Sequence, residues 1–128
     1  MKKEEITIEQ IQLFEKLSGQ LDGLHSEIGL MAKKAQNDAI NSFKLKFVND
    51  VLAQWNSLLG ERYRPFPDFA QFSSEDLPTN SDVTLILAQY IEAAETMRAS
   101  NIEDKGFGEW AWRKHAVSTY PPKKLTSR

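Results

Sequence analysis

Apolar side chains recur every three or four positions along the first part of the chain, which is the spacing of an amphipathic helix with one buried face. The residues on this face are Ile11, Phe14, Leu17, Leu21, Leu24, Ile28 and Met31. Thr7 and Gln10 have the spacing of a capping box, and Ile6 with Ile11 that of a hydrophobic staple. These signals predict a long first helix that begins just after Thr7.

A wider apolar face follows in the middle of the chain, made of Ile40, Phe43, Phe47, Val48, Val51, Leu52, Trp55, Leu58 and Leu59. We predict a second helix with Asn37 or Asp38 as its N-cap, because these residue types accept hydrogen bonds from the first helical turn. Gly60 is predicted to end this helix, since glycine is favoured just after a helix terminus. Trp55 is predicted to be a core residue.

A third apolar stripe follows Pro78 and contains Val83, Ile86, Leu87, Tyr90, Ile91, Ala94 and Met97. Thr79 and Asp82 again have capping-box spacing. No segment shows a strand pattern. We therefore predict an all-α fold, a small bundle of three long helices completed by a C-terminal helical or extended segment.

Residues 61–80, between the second and third helices, are long for a link between antiparallel helices. Pro65 and Pro67 exclude an ordinary helix there. The segment, which we call the aromatic loop, carries four rings at intervals of three residues, Tyr63, Phe66, Phe69 and Phe72. Two interpretations are open. The rings either cover the bundle and add to its core, or they form a surface that binds a partner.

The composition adds limits rather than a function. With 128 residues, of which 41% are hydrophobic, the chain has enough apolar material for one core and not for two. It contains no cysteine, which excludes disulfide bridges, a thiol nucleophile and thiolate metal sites. No signal-peptide pattern is present, and no apolar run approaches the roughly 18 residues of a membrane span. We expect a single-domain cytoplasmic protein without membrane contact.

The net charge of −2 is divided unevenly along the chain. Residues 105–128 carry six basic residues and one acidic residue, a charge of +5, which leaves ten basic and 17 acidic residues, a charge of −7, for residues 1–104. We predict a helical bundle over residues 1–104, with the aromatic loop inside it, and a basic aromatic tail over residues 105–128. The opposite charges predict that the tail either docks on the bundle or binds a partner.

Aromatic and basic side chains alternate within the tail, and we predict partner contacts by Trp110, Trp112, Arg113 and Lys114. Three interpretations are open. The rings pack on the bundle, they contact a protein, or they stack on the bases of single-stranded nucleic acid while the cations neutralise phosphates. The acidic bundle disfavours the third, since it repels phosphates at close range. Trp110 and Trp112 are two residues apart, so they share a face only where the chain is extended.

The residues needed for catalysis or metal binding do not form a pattern. His25 and His115 lie far apart, and neither has a second ligand at metal spacing. No glycine-rich phosphate loop, nucleophile elbow or zinc-protease motif is present. Glu92 and Glu95 lie one turn apart on the third helix and are expected to be solvated surface charge. We therefore expect no metal and no cofactor.

These observations favour a non-enzymatic protein that acts by binding. We expect a protein partner, or a second copy of the chain, bound through the aromatic loop and the tail. Small cysteine-free helical domains are common among bacterial and phage accessory, immunity and antitoxin-like proteins, and a role of that kind is the expectation. A nucleic-acid-binding protein that uses the tail is the alternative, followed by an enzyme whose pocket the sequence does not reveal.

Overall fold

The computed structural model describes residues 5–123, which contain three α-helices, a one-turn 3-10 helix (Ser74–Asp76) and a small antiparallel sheet. The helices are α1 (Ile8–Lys34), α2 (Ser42–Tyr63) and α3 (Asn80–Ala99). The strands are β1 (Ile102–Gly106), β2 (Glu109–Trp112) and β3 (Ser118–Thr119), in the order β1-β2-β3. The prediction of three long helices is confirmed.

Capping boxes start α1 and α3, as the spacing predicts. The Thr7 hydroxyl accepts a hydrogen bond from the Gln10 amide at 3.1 Å, and the Gln10 side chain accepts one from the Thr7 amide at 2.8 Å. Thr79 and Asp82 make the same reciprocal pair at α3. These bonds satisfy amides that the first helical turn otherwise leaves without an acceptor.

The ends of α2 differ from the prediction. Its N-cap is Asn41, whose side chain accepts hydrogen bonds from the amides of Phe43 and Lys44, and not Asn37 or Asp38. Gly60 has φ 65° and ψ −173°, so it breaks the helix, and one further turn follows it to Tyr63. A left-handed φ is easily adopted only by glycine, which is why the break falls at this residue.

The C-terminal segment forms strands that the sequence pattern does not predict, so the all-α prediction is incomplete. β1 and β2 pair with Ile102 opposite Trp112 and Asp104 opposite Trp110, and β2 then pairs with β3. The strands have five, four and two residues. Runs this short carry too few positions for an alternating pattern to be recognised. The predicted boundary between residues 104 and 105 lies within β1.

Three rings form the centre of the core and join the sheet to the helices. Trp55 of α2 is fully buried, which confirms its predicted place in the core. The Phe14 ring of α1 lies edge-to-face against Trp55, with centroids 5.3 Å apart, and against Trp112 of β2, at 5.2 Å. One aromatic cluster therefore connects α1, α2 and β2.

The sequence pattern places Phe43 and Phe47 on the buried face of α2, and this is wrong. The two residues are 68% and 50% exposed, and their rings pack edge-to-face against each other, with centroids 4.9 Å apart. The apolar face of α2 is wider than the surface that α1 and α3 cover. Within residues 5–123, no helix combines the length and apolarity needed to cross a membrane.

Candidate functional site

The four rings of the aromatic loop fold back onto the bundle. Tyr63, Phe66, Phe69 and Phe72 are all half-buried and pack against the core. The Phe69 ring lies between the other two phenylalanines, 6.4 Å from Phe66 and 5.1 Å from Phe72, edge-to-face in both cases. This packing is what the covering interpretation requires. Partner binding by the same rings stays a prediction.

Polar side chains of α2 fasten the backbone of this loop. The Asn49 amide group donates to the Phe72 carbonyl at 3.0 Å and accepts from the Phe72 amide at 2.9 Å. Asn56 donates to the Phe69 carbonyl at 3.4 Å, and Arg64 donates to the same oxygen at 2.7 Å. The sequence reasoning missed Asn49 and Asn56. The feature that could have revealed them is their spacing, because two asparagines that lie two helical turns apart share one side of α2.

Tyr90 extends this network to α3. Its hydroxyl donates to the Asn56 side-chain oxygen at 2.6 Å, and burial raises the pKa of the Tyr90 hydroxyl. The bond orients the Asn56 amide so that its nitrogen faces the loop carbonyls. The loop position is therefore fixed by both helices.

Phe69→Ala is expected to lower the free energy of unfolding by about 2 kcal/mol, because it removes a half-buried ring with two aromatic neighbours. Urea denaturation measures the loss. Asp68→Ala serves as the control, since Asp68 is exposed in the same loop. Unchanged stability in the Phe69 variant would contradict the covering role and favour a binding surface.

The two predicted tryptophans of the tail lie on the same side of β2, as their spacing requires in an extended chain. Trp112 is fully buried against Phe14, and Trp110 is half-buried against the core. Both rings therefore attach the sheet to the bundle. Their predicted contact with a partner is not tested by this packing.

The two predicted cations of the tail have partners within the chain. Arg113 donates to the carbonyls of Ser100, at 2.8 Å, and Ile102, at 3.3 Å, just after the end of α3. Lys114 pairs with Glu5 and, through this hydrogen bond, lowers the pKa of the Glu5 carboxyl. Both cations remain exposed at the surface. Contact with a partner therefore stays a prediction for them.

A buried ion pair on α3 was not foreseen, and the expectation that Glu95 is solvated surface charge is wrong. The side chains of Glu95 and Arg98 are 7% and 1% exposed. Arg98 Nε lies 2.9 Å from Glu95 Oε1, and Arg98 Nη2 lies 2.8 Å from Glu95 Oε2. This two-bond geometry is the strong form of an arginine–carboxylate contact.

The remaining donors of Arg98 bind the chain beyond β3. Nη1 donates to the Thr119 hydroxyl at 3.1 Å and to the Tyr120 carbonyl at 2.6 Å, and Nη2 donates to the Pro121 carbonyl at 2.8 Å. The Tyr120 ring centroid lies 3.6 Å from the guanidinium carbon. All five N–H donors are thus used. We call Glu95, Arg98 and residues 119–123 the C-terminal clasp.

The turn between β1 and β2 presents an exposed phenylalanine. The relative exposure of Phe107 is 106%, that of a free side chain. Gly106, Phe107 and Gly108 have φ values of 93°, 56° and 78°. The two glycines adopt such values easily, but a bulky residue rarely does. The Asp104 side chain accepts a hydrogen bond from the Gly106 amide at 2.8 Å, which fixes the turn.

Charged residues flank Phe107 on both strands of the hairpin. Glu103, Asp104 and Glu109 are acidic and Lys105 is basic, so the formal charge around Phe107 is −2. Lys105 lies 3.0 Å from Glu103 and, through its hydrogen bond, lowers the pKa of the Glu103 carboxyl. We call residues 103–109 the hairpin tip, an apolar knob within an acidic collar.

No metal centre and no relative indicates a function. Residues 5–123 contain no group of three or more histidine, aspartate or glutamate side chains that could hold a metal ion. Comparison of the chain with protein-family models, with curated proteins and with solved structures finds no match. The surfaces that the fold presents are therefore the remaining guide to function.

Proposed function

We propose that this chain acts by binding a protein partner, with Phe107 of the hairpin tip as the central contact. The exposure of Phe107 in a left-handed backbone conformation carries the proposal. In the isolated molecule, glycine or asparagine would suit this position better. Both adopt a left-handed backbone with less strain than phenylalanine, and neither exposes a large apolar side chain to water. An exposed phenylalanine adds nothing to the core, but buried in a partner it supplies apolar contact area.

The sheet presents this ring on a rigid base. β1 and β2 are paired up to the turn that carries Phe107, with Gly106 opposite Glu109, and Trp112 anchors β2 in the core. A contact residue held in place before binding loses little conformational freedom when the complex forms. The packed tryptophans therefore support binding by positioning the tip.

The acidic collar indicates the chemistry of the partner. An apolar pocket with a basic rim complements a ring surrounded by three carboxylates and one ammonium group. Nucleic acids and anionic membranes do not complement this surface, because the carboxylates of the collar repel their phosphate groups. The tail cations also favour a protein, since Lys105 and Lys114 already pair with glutamates.

The wider role that we propose is that of a small cytoplasmic binding protein, of accessory, immunity or antitoxin type. The absence of cysteine supports a reducing compartment. Tyr63, Phe66, Phe69 and Phe72 form a second candidate contact through their exposed edges. Nucleic-acid binding and catalysis are the weaker alternatives.

The test begins by placing a photo-crosslinking phenylalanine analogue at position 107 in the native host. Leu77 is the matched control site, because it is also an exposed apolar residue with a left-handed φ, of 48°. We expect a crosslinked protein from position 107 and none from position 77. With that protein purified, Phe107→Ser is expected to raise Kd by about 30-fold or more, while Leu77→Ser leaves Kd unchanged.

Thermal melting of both variants checks that the fold is intact. Equal affinity of the Phe107 variant and the wild type would contradict the proposal, as would an equal loss in the Leu77 variant. A salt titration against single-stranded DNA tests the alternative. Binding that falls steeply with salt would favour nucleic acid.

A further inference from the structure

The outer side of α2 carries a second exposed aromatic surface, which the hairpin tip does not explain. Phe43 and Phe47 lie there with their rings packed together. Lys46, Asp50 and Ala53 are also exposed, and their helical spacing from Phe43 places them along the same side of the helix. We call these five residues the α2 outer face. It lies opposite Val48, Leu52 and Trp55, the fully buried residues of the helix.

Nothing else in residues 5–123 pairs with these side chains. Phe43 and Phe47 have ring contacts only with each other. Neither Lys46 nor Asp50 makes an ion pair within the described part of the chain. An aromatic pair with two free and opposite charges beside it is typical of a surface that meets a complementary one.

The spacing on this face matches that of a helix-pairing seam. Phe43, Lys46, Asp50 and Ala53 follow one another at intervals of three, four and three residues. That is the spacing of the contact positions in a pair of helices packed side by side. The partner that fits such a seam is another helix.

We propose that two copies of this chain pair through their α2 outer faces, antiparallel, about a two-fold axis at the level of Val48. In this arrangement residues at equal distances from position 48 lie opposite each other. Lys46 lies opposite Asp50 of the partner subunit, and the symmetry repeats the contact. Phe43 lies opposite Ala53 of the partner subunit, where a small side chain leaves room for the ring.

The sequence of α2 is thus complementary to itself in one antiparallel register. A parallel pairing in register puts Lys46 against Lys46 and Asp50 against Asp50, and these like charges repel. A single helix face is a small interface, so we expect weak association, with a Kd of roughly 10 to 100 µM. The proposal is independent of partner binding by Phe107, which lies in the β1–β2 turn.

Sedimentation equilibrium of the full chain, from about 10 µM to 1 mM, tests this proposal. The wild type is expected to dimerise, and Phe43→Ser to raise the dimer Kd by about 30-fold or more. Lys46→Glu and Asp50→Lys each place like charges opposite one another and are each expected to weaken the dimer about tenfold. The double variant Lys46→Glu/Asp50→Lys restores opposite charges and is expected to return the Kd to near the wild-type value.

Leu85→Ser, at an exposed leucine of α3, and Phe107→Ser are the controls, and both are expected to leave the Kd unchanged. Circular dichroism melting confirms that each variant is folded. A wild type that stays monomeric up to 1 mM would overturn the proposal. Dimerisation that is unaffected by Phe43→Ser, or a double charge variant as weak as the single ones, would overturn it equally.

Discussion

Arg98→Ala is expected to lower the free energy of unfolding by about 3–5 kcal/mol, a large part of the stability of a domain of this size. The substitution leaves the Glu95 carboxylate buried without its partner. It also removes the donors for the Thr119 hydroxyl and for the carbonyls of Tyr120 and Pro121. Urea denaturation measures the loss of stability. Hydrogen exchange at the amides of Thr119, Tyr120 and Lys123 is expected to become fast.

A double variant separates the cost of the unpaired buried charge from the loss of the hydrogen bonds that hold the C-terminal clasp. Glu95→Leu/Arg98→Met removes both charges and keeps an apolar volume, so most of the lost stability is expected to return. Rapid exchange of the amides of Tyr120 and Lys123 should persist, because the carbonyls in this segment still have no donor and the Lys123 amide has lost its acceptor on Glu95. A loss below about 1 kcal/mol in the single Arg98 variant would mean that the pair behaves as an exposed one.

Trp112→Ala is expected to cost about 3–5 kcal/mol as well, because it removes a fully buried indole beside Phe14 and leaves a cavity. Trp110→Ala is the matched control. Its ring is only half-buried on the same face of β2, so its loss of stability should be clearly smaller. Thermal and urea unfolding measure both losses.

Trp112→Phe refines this comparison. The indole nitrogen of Trp112 is buried and makes no hydrogen bond within residues 5–123. Phenylalanine keeps an aromatic ring at the site and removes that unpaired N–H group, so its cost should be well below that of alanine. A Trp112→Ala variant with the same melting temperature as the wild type would contradict this prediction and would mean that the sheet contributes little to the core.

The helices were predictable because their signals are local and repeated. The capping boxes of α1 and α3 need only four neighbouring residues, and each apolar stripe runs for several turns. The N-cap of α2 was misplaced because Asn37, Asp38 and Asn41 are equally suitable by type. Phe43 and Phe47 were misplaced because periodicity gives the width of an apolar face but not how much of it neighbouring helices cover.

The functional surfaces were less predictable because they depend on contacts between distant segments. Glu95 and Arg98 resemble any charged pair on a helix until residues 119–123 fold over them. Trp112 and Phe107 are both aromatic residues of the tail, yet one is fully buried and the other fully exposed. The difference arises from the pairing of β1 with β2, which places Trp112 against the core, and from the glycines on either side of Phe107, which place that residue in the exposed turn.

The C-terminal clasp has a consequence for the order in which the chain folds during its synthesis. Arg98 leaves the ribosome before its acceptors, which lie 21 to 23 residues further along the chain. A nascent chain with only the three helices lacks the Trp112 ring over Phe14, and its Arg98 and Glu95 side chains have no segment to cover them. Such an intermediate exposes apolar surface and is prone to aggregate. We therefore expect the yield of folded protein to depend on how soon residues 100–123 follow the three helices out of the ribosome.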